Sequence, residues 1–184
     1  MTLDLKKDGK FNRLEGPESF EVYALDTAIF VSDDPAADLA FPQEAAALHR
    51  AASGASRAIG EAENRIRHLR QAILDTPAAG EAHLQRLDKI RIALADLKIA
   101  FSGDRTVGRR QEAQAPGINE RIGGVVEGMT DITSPPTETF RQQYSYARDA
   151  YTKAQQDLRR LAGTDLAKLE DDHEKLGAAW TPGR

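Results

Sequence analysis

The chain has 184 residues, of which 40% are apolar and 6% aromatic, and its formal net charge is −4. This composition fits one globular domain, or one domain with an appendage, and excludes general disorder. Because the chain has no cysteine, disulfides, thiolate metal sites and cysteine nucleophiles are excluded. No apolar run is long enough to cross a membrane, and a nucleic-acid partner is not expected without a basic surplus.

The N-terminal segment has the alternating pattern of β-strands. Leucines alternate with polar residues in 2–6, Asp8-Gly9 is a turn signal, and alternation returns in 20–25. We therefore predict a small β-hairpin over 1–25, with a strand at each end and a loop around 8–18 between them.

A linker is predicted to follow over 26–41, before a helical domain over 42–184. The boundary rests on composition, because residues 1–41 carry four basic and nine acidic side chains, whereas the rest is nearly balanced and rich in alanine. Within the linker, Pro35 is expected to start a helical turn. Pro42 is expected to break or kink that turn.

Three long segments after residue 42 repeat apolar side chains at alternating steps of four and three residues. Such seams are typical of helices that pack against one another. With a short connection at 76–80 forcing the first two helices to run antiparallel, they predict an up-down helical bundle. The seams consist of Leu48, Ala52, Ala55, Ile59, Ala62, Ile66, Leu69 and Ile73, then His83, Leu87, Ile90, Leu94, Leu97 and Phe101, and then Phe140, Tyr144, Ala147, Tyr151, Ala154, Leu158 and Leu161.

The third seam is interrupted at Gly163-Thr164-Asp165 and resumes at Leu166. Either Thr164 caps a new helix, or the helix continues with a kink. Off the seam, Tyr146 is expected to be exposed. Between the second and third seams, a short helix is predicted over 118–129.

An arginine-rich loop, residues 103–117, holds the most suggestive polar cluster. It consists of Arg105, Arg109 and Arg110, to which Arg121 of the following short helix is added. One hypothesis is an anion-binding site, because guanidinium groups bind carboxylates and phosphates bidentately. The alternative is that these arginines pair with Asp104, Glu112, Glu120 or helix-end carbonyls and tie down a long loop.

The histidines and carboxylates do not form a known catalytic or metal-binding motif. His83 lies on a seam and is expected to be half-buried. The run from Asp171 through His173 to Glu174 offers cation ligands but is expected to be solvated at an exposed helix end. The paired Glu-x-x-His set of a di-metal bundle, glycine-rich phosphate loops and the Gly-x-Ser-x-Gly motif are not found. We assign no catalytic residue, no metal site and no cofactor.

Five stretches, taken in order, resemble the C-terminal region of large bacterial proteins of the BNR-repeat, sortilin-like glycosyl hydrolase family. The resemblance spans nearly the whole chain. It implies an upstream β-propeller and a small β-sandwich, with the hairpin of this chain as the last strands of that sandwich. The stretches are GPESFEV (16–22), AILDTPAA (72–79), FSGDRTVGRRQEAQAPGINERIGGVVEGM (101–129), SPPTETFRQQY (134–144) and WTPGR (180–184).

The chain departs from that family because it contains no Asp-box repeat, and Trp180 is its only tryptophan. No catalytic residue therefore carries over, and we expect a non-catalytic accessory module that packs against an upstream propeller or sandwich, another protein or a second copy. Two alternatives stay open, a stand-alone helical-bundle interaction domain and a binder of anions or sugar acids through the Arg-rich loop. The resemblance implies a secreted or periplasmic parent, although residues 1–10 lack the apolar core of a signal peptide.

Overall fold

The computed structural model describes residues 2–21, 34–130, 132 and 134–178. These residues form two units, and the division lies between Glu21 and Asp34. The first unit contains a two-stranded antiparallel hairpin and the second is a helical bundle. Both parts of the predicted fold class are confirmed.

The hairpin consists of β1 (Leu3–Lys7) and β2 (Lys10–Glu15). Asp8 and Gly9 form the two-residue loop between them, with φ angles of 52° and 77°. Two consecutive positive φ angles are those of a type I′ turn, which Asp-Gly favours because its twist matches that of the strands. The predicted turn signal is thus confirmed.

The predicted loop over 8–18 is wrong. We placed the second strand after it, over 20–25, whereas the chain returns immediately as β2. A type I′ turn needs only two residues, so the returning strand starts directly after the glycine. Phe20 and Glu21 lie outside both strands, and 22–25 lie outside the described residues.

The described part of the helical unit contains five α-helices of nine or more residues and one shorter helix. Their bounds are α1 (Pro35–Asp75), α2 (Glu81–Ser102), α3 (Arg105–Arg109), α4 (Ile118–Thr130), α5 (Glu138–Arg160) and α6 (Leu166–Glu174), with a π-helical turn at Leu161–Asp165 between α5 and α6. The short helix is α3, which has five residues.

Helix α1 begins earlier than predicted, inside the segment assigned to the linker. The Asp34 side chain accepts a hydrogen bond from the backbone N–H of Ala37 at 3.0 Å, and Pro35 occupies the first turn. The helix then runs through Pro42 without ending, so the predicted start at residue 42 is wrong. Burial of Phe41 beside Pro42 supplies packing that offsets the missing hydrogen bond. The part of the linker over 26–33 lies outside the described residues.

The long helices form three rods. The first is α1, which at 41 residues is roughly 60 Å long; the second is α2 followed by α4, and the third is α5 followed by α6. Ion pairs of Glu63 with Lys98 at 2.7 Å and of Arg70 with Asp88 at 3.4 Å join α1 to α2. Since the residue numbers rise on one helix as they fall on the other, the two helices are antiparallel, as predicted.

Two glycines allow α4 to bridge the end of α2 and the start of α5. A Cβ atom on Gly117 would lie 2.7 Å from the carbonyl oxygen of Phe101, which belongs to α2. A Cβ atom on Gly128 would lie 2.6 Å from the ring of Phe140 at the start of α5. Gly117 has no room for a side chain because the obstacle is backbone, whereas a side chain at Gly128 would have to displace the Phe140 ring.

The core consists of the predicted seams. On α2, every seam residue from Leu87 to Phe101 is buried and His83 is half-buried. On α1 and α5 the seam residues are buried or partly buried, and Tyr146 is exposed as expected. The seam tyrosines meet phenylalanines edge to face: Tyr144 lies 5.4 Å from Phe41 and Tyr151 lies 6.2 Å from Phe101, between ring centroids.

The third rod continues through Gly163 as a π-helical turn. Of the two alternatives left open by the sequence, a new helix capped by Thr164 is wrong, and the continued helix is confirmed. Leu161 and Leu166 lie five residues apart, and both are buried. The π turn therefore absorbs one extra residue and returns the seam to the core.

Candidate functional site

The Arg-rich segment is more ordered than the predicted loop, because it contains α3. The Asp104 carboxylate accepts the backbone N–H of Thr106 at 2.7 Å and caps this helix. That hydrogen bond is the main reason why the pKa of Asp104 lies below its usual value. The side-chain oxygen of Gln114 accepts the backbone N–H of Asp104 at 2.9 Å, which folds the end of the segment back onto its start.

Two of the predicted arginines line an open depression of about 350 Å³. Arg105 and Arg109 are one helical turn apart on α3, and both are exposed. Neither guanidinium has an ion pair or hydrogen bond with the residues that the structure describes. Asp104 and Gln114 line the same depression, so it offers two free cationic groups beside one carboxylate and one amide.

The other two predicted arginines have partners. Arg110 pairs with Glu112 at 3.3 Å, which is one of the pairings expected if the arginines tie down the segment. Arg121 lies on α4, donates to the side-chain oxygen of Gln143 at 2.7 Å and covers the ring of Tyr146 at 5.7 Å. The structure therefore leaves Arg105 and Arg109 as the candidates for anion binding.

A second polar cluster is buried where α1 and α6 meet. Arg65 donates from Nε to one oxygen of Glu170 at 3.0 Å and from Nη2 to the other, and Nη1 lies 3.4 Å from the carbonyl oxygen of Ala162. Glu170 is 2% exposed. A buried carboxylate needs such pairing, because removing it from water is costly. The cluster thus stabilises the docking of α6.

A pair of histidines lies where α6 meets α2. His173 follows Glu170 by three residues on α6, and His83 is on α2. His173 is 1% exposed, and its Nε2 atom lies 3.5 Å from the hydroxyl of Thr76. The rings of His173 and His83 are 6.1 Å apart between centroids. The Nδ1 atoms of both have no hydrogen-bond partner in the described part of the chain. In 2–21, 34–130, 132 and 134–178, no group of three or more potential ligands is arranged to hold a metal ion.

Sequence reasoning missed Glu170 and misjudged its neighbours. We expected the run 171–174 to be solvated, whereas His173 is buried and Asp172 binds Arg86 at 2.9 Å. We overlooked the one Glu-x-x-His pattern of the sequence, Glu170 to His173, which was the available signal. It marks the inward face of α6, although the partner of Glu170 is a guanidinium and not a metal.

The hairpin carries a separate surface of uncovered apolar side chains. Every residue of β1 and β2 is exposed. The large apolar side chains in and after the hairpin are between 49% and 69% exposed, and they are Leu3, Leu5, Phe11, Leu14 and Phe20. Such a concentration of exposed apolar residues indicates a surface that another structure covers.

Comparison of the chain with protein-family models, with curated proteins and with solved structures gave no match. The resemblance to BNR-repeat proteins therefore rests on the five sequence stretches alone. Among the described helices, none combines the length and the apolar character needed to cross a membrane.

Proposed function

We propose that this chain is a non-catalytic interaction module, in which a helical bundle follows a hairpin that another β-sheet completes. The observation that carries the proposal is the exposure of the apolar side chains of the hairpin, described above. A two-stranded hairpin is marginally stable by itself in water and gains stability from further strands or from packing on one face. The natural partner for this surface is therefore a sheet with a free edge or an apolar face.

The sequence resemblance supports the same function and suggests one source of the partner. In BNR-repeat proteins a β-sandwich precedes the helical module, so the hairpin of this chain would complete that sandwich. The module would then serve packing or oligomerisation, while any glycosidase chemistry would belong to the propeller.

A stand-alone bundle that binds another helix is the alternative interaction function. On α2, Ile92 and Ile99 are exposed and seven residues apart, with exposed Ala95 between them. This spacing gives a narrow apolar stripe on the side of α2 that faces away from the core, and an amphipathic helix could dock there.

An immunoblot of the source cells with an antibody against the bundle separates these two interaction functions. A band several times larger than 20.2 kDa would support the accessory module, and a band at 20.2 kDa would support the stand-alone bundle. Hydrolysis of an aryl glycoside by the purified chain, abolished by one point mutation, would overturn both.

The depression lined by Arg105 and Arg109 supports a second candidate function, binding of a small hydroxylated anion such as a sugar acid. Two guanidiniums would bind the carboxylate of the ligand. The Asp104 carboxylate beside them would accept a hydrogen bond from a hydroxyl group of the ligand. We expect glucuronate to bind in the millimolar range, as measured by calorimetry, and glucose not to bind.

The matched variants for this second candidate differ only in which arginines are removed. The double variant R105Q/R109Q should lose glucuronate binding. The variant R110Q should keep it, because Arg110 already pairs with Glu112. Equal binding by both variants would exclude this function. No binding by the wild-type chain at a glucuronate concentration 50-fold above a Kd of about 1 mM would exclude it as well.

A further inference from the structure

Among the described residues, backbone groups on the outer edge of β1 lack partners at two positions. In a β-turn the carbonyl of the first residue accepts from the N–H of the fourth, so Lys7 and Lys10 are a hydrogen-bonded pair. Hydrogen-bonded and non-hydrogen-bonded pairs alternate along an antiparallel ladder. The N–H and C=O groups of Asp4 and Lys6 therefore point away from β2. Within the described residues the sheet has only these two strands.

Symmetry restricts how this edge can pair with the same edge of a second copy. Two identical strands related by a two-fold axis pair antiparallel, and residues that face each other lie on the same side of the sheet. With the free groups on Asp4 and Lys6, three registers are available. One places Asp4 opposite itself, one places Lys6 opposite itself, and one places Asp4 opposite Lys6 in both directions. Only the last is free of like charges.

We propose that two copies of this chain pair through their β1 edges in that register, giving a four-stranded antiparallel sheet. This inference rests on the proposed interaction function and names a second copy as the partner. Asp4 lies opposite Lys6 of the partner subunit, and Lys6 lies opposite Asp4 of the partner subunit, so both hydrogen-bonded pairs are also ion pairs. Leu5 lies opposite Leu5 of the partner subunit as a non-hydrogen-bonded pair, in which side chains are closest.

The pairing brings the exposed leucines of β1 together. Leu3 and Leu5 are two residues apart and share one side of the strand. In the four-stranded sheet the corresponding leucines of both copies form one continuous apolar patch. Four strands with an apolar face exceed the minimum for a stable sheet, which the isolated hairpin does not reach.

The charge pattern provides the first test, by measuring the dimerisation constant of the whole chain by analytical ultracentrifugation. K6D places like charges opposite each other twice, and about tenfold weaker dimerisation is expected from two lost pairs. Because Asp4 also pairs with Arg13 of its own hairpin at 3.6 Å, the rescue variant is D4K/K6D/R13E. It restores opposite charges in both places and should return the constant to within about threefold of wild type. K7D is the matched control, because residue 7 faces Leu3 of the partner subunit, and it should leave the constant unchanged.

Disulfide trapping provides a second test that leaves every charge in place. The chain has no cysteine, so L5C introduces the only thiol, and its Cα atom should lie about 4.5 Å from that of its counterpart. This separation is within the range of disulfides. In K7C the two thiols would be four residues out of register, about 13 Å apart. With oxidised glutathione, L5C should form linked dimers at least tenfold faster than K7C.

Equal cross-linking of L5C and K7C would overturn self-pairing. A wild-type mass of 20.2 kDa at every concentration up to about 200 μM, 200-fold above a dimer Kd of about 1 μM, would overturn it as well. These outcomes leave the proposed interaction function standing with a different sheet as partner. The proposed function is tested separately, by the immunoblot and by the hydrolysis assay.

Discussion

Deletion of Gly163 should leave the fold intact, although it removes a residue from the middle of a long helical rod. The π turn places Leu166 five residues after Leu161, with both side chains buried. Four residues of ordinary α-helix also return to nearly the same face, since they turn about 400°. Removing one residue therefore converts the π turn to α-helix and keeps α6 in phase with the core.

The expected change in the free energy of unfolding is small. Gly163 is exposed, and nothing lies within 4 Å of where its Cβ would be, so no packing is lost. Taking a glycine out of a helix interior removes a cost of about 1 kcal/mol. We expect the deletion to lie within about 1 kcal/mol of the wild-type chain, on the stabilising side.

Deletion of Thr152 is the matched control, because this residue is also exposed but lies in regular α-helix. The deletion turns the following residues by about 100°. If the π turn converts to α-helix, the residues after it return to their original positions. Leu158 and Leu161, which lie between the deletion and the end of the turn, are still rotated out of the core. At about 1.5–3 kcal/mol for each buried leucine, the loss is about 3–6 kcal/mol, which is a large part of the stability of a domain.

Urea denaturation followed by far-ultraviolet circular dichroism measures both deletions on one scale. We expect similar slopes for the two variants, with an equal or slightly higher urea midpoint for the Gly163 deletion and a much lower midpoint for the Thr152 deletion. If removing Gly163 costs as much as removing Thr152, the π turn is not an absorbed extra residue and the explanation is wrong.

Three further predictions follow from packing, charge and pH. G117A should destabilise the bundle by about 2–4 kcal/mol, because the new Cβ would lie 2.7 Å from backbone of α2. G123A should stabilise α4 by about 1 kcal/mol, because nothing lies within 4 Å of its Cβ. Thermal melts that rank the two variants in the opposite order would contradict this. E170L should cost about 3–5 kcal/mol by leaving the guanidinium of Arg65 unpaired. The double variant R65M/E170L should cost less than R65M or E170L alone, as a double-mutant cycle would reveal. The pKa of Asp172 lies below its usual 3.8 chiefly because Arg86 donates a hydrogen bond to the carboxylate. The contribution of this carboxylate to stability is therefore present above pH 3.8 and is lost as the pH falls through the lower folded-state pKa. Nuclear magnetic resonance titration of the Asp172 carboxyl should show a midpoint under 3.8.

The bundle was predictable because its signal is repeated many times. Each seam contributes six or more residues with the same alternation, so one misplaced residue does not change the result. The start of α1 was not predictable in this way, since the packing of Phe41 outweighs the local effect of Pro42. The hairpin was misplaced for the opposite reason. Its strongest signal, Asp8-Gly9, was recognised, but a second alternation further along was preferred to the one immediately after the turn.

The polar groups were harder to predict because their partners are distant in sequence. Glu170 and Arg65 are 105 residues apart, and nothing local to either residue identifies the other. The four arginines near residue 110 looked equivalent in sequence. Only the packing of α4 on α5 separates Arg121, bound to Gln143, from the unpaired Arg105 and Arg109.

The buried ion pair has a role that the apolar seams cannot perform. Heptad seams of leucine, isoleucine and alanine look alike after a shift of seven residues, so apolar packing alone specifies the register of α6 on α1 weakly. Arg65 and Glu170 meet in only one register, and a shift would bury both charges unpaired at a cost of several kcal/mol. Because both oxygens of the Glu170 carboxylate accept hydrogen bonds from Arg65, that carboxylate has little capacity left to bind a metal. The buried polar residues thus specify the fold, and the groups available to a ligand or partner are the exposed ones, on α3 and at the edge of β1.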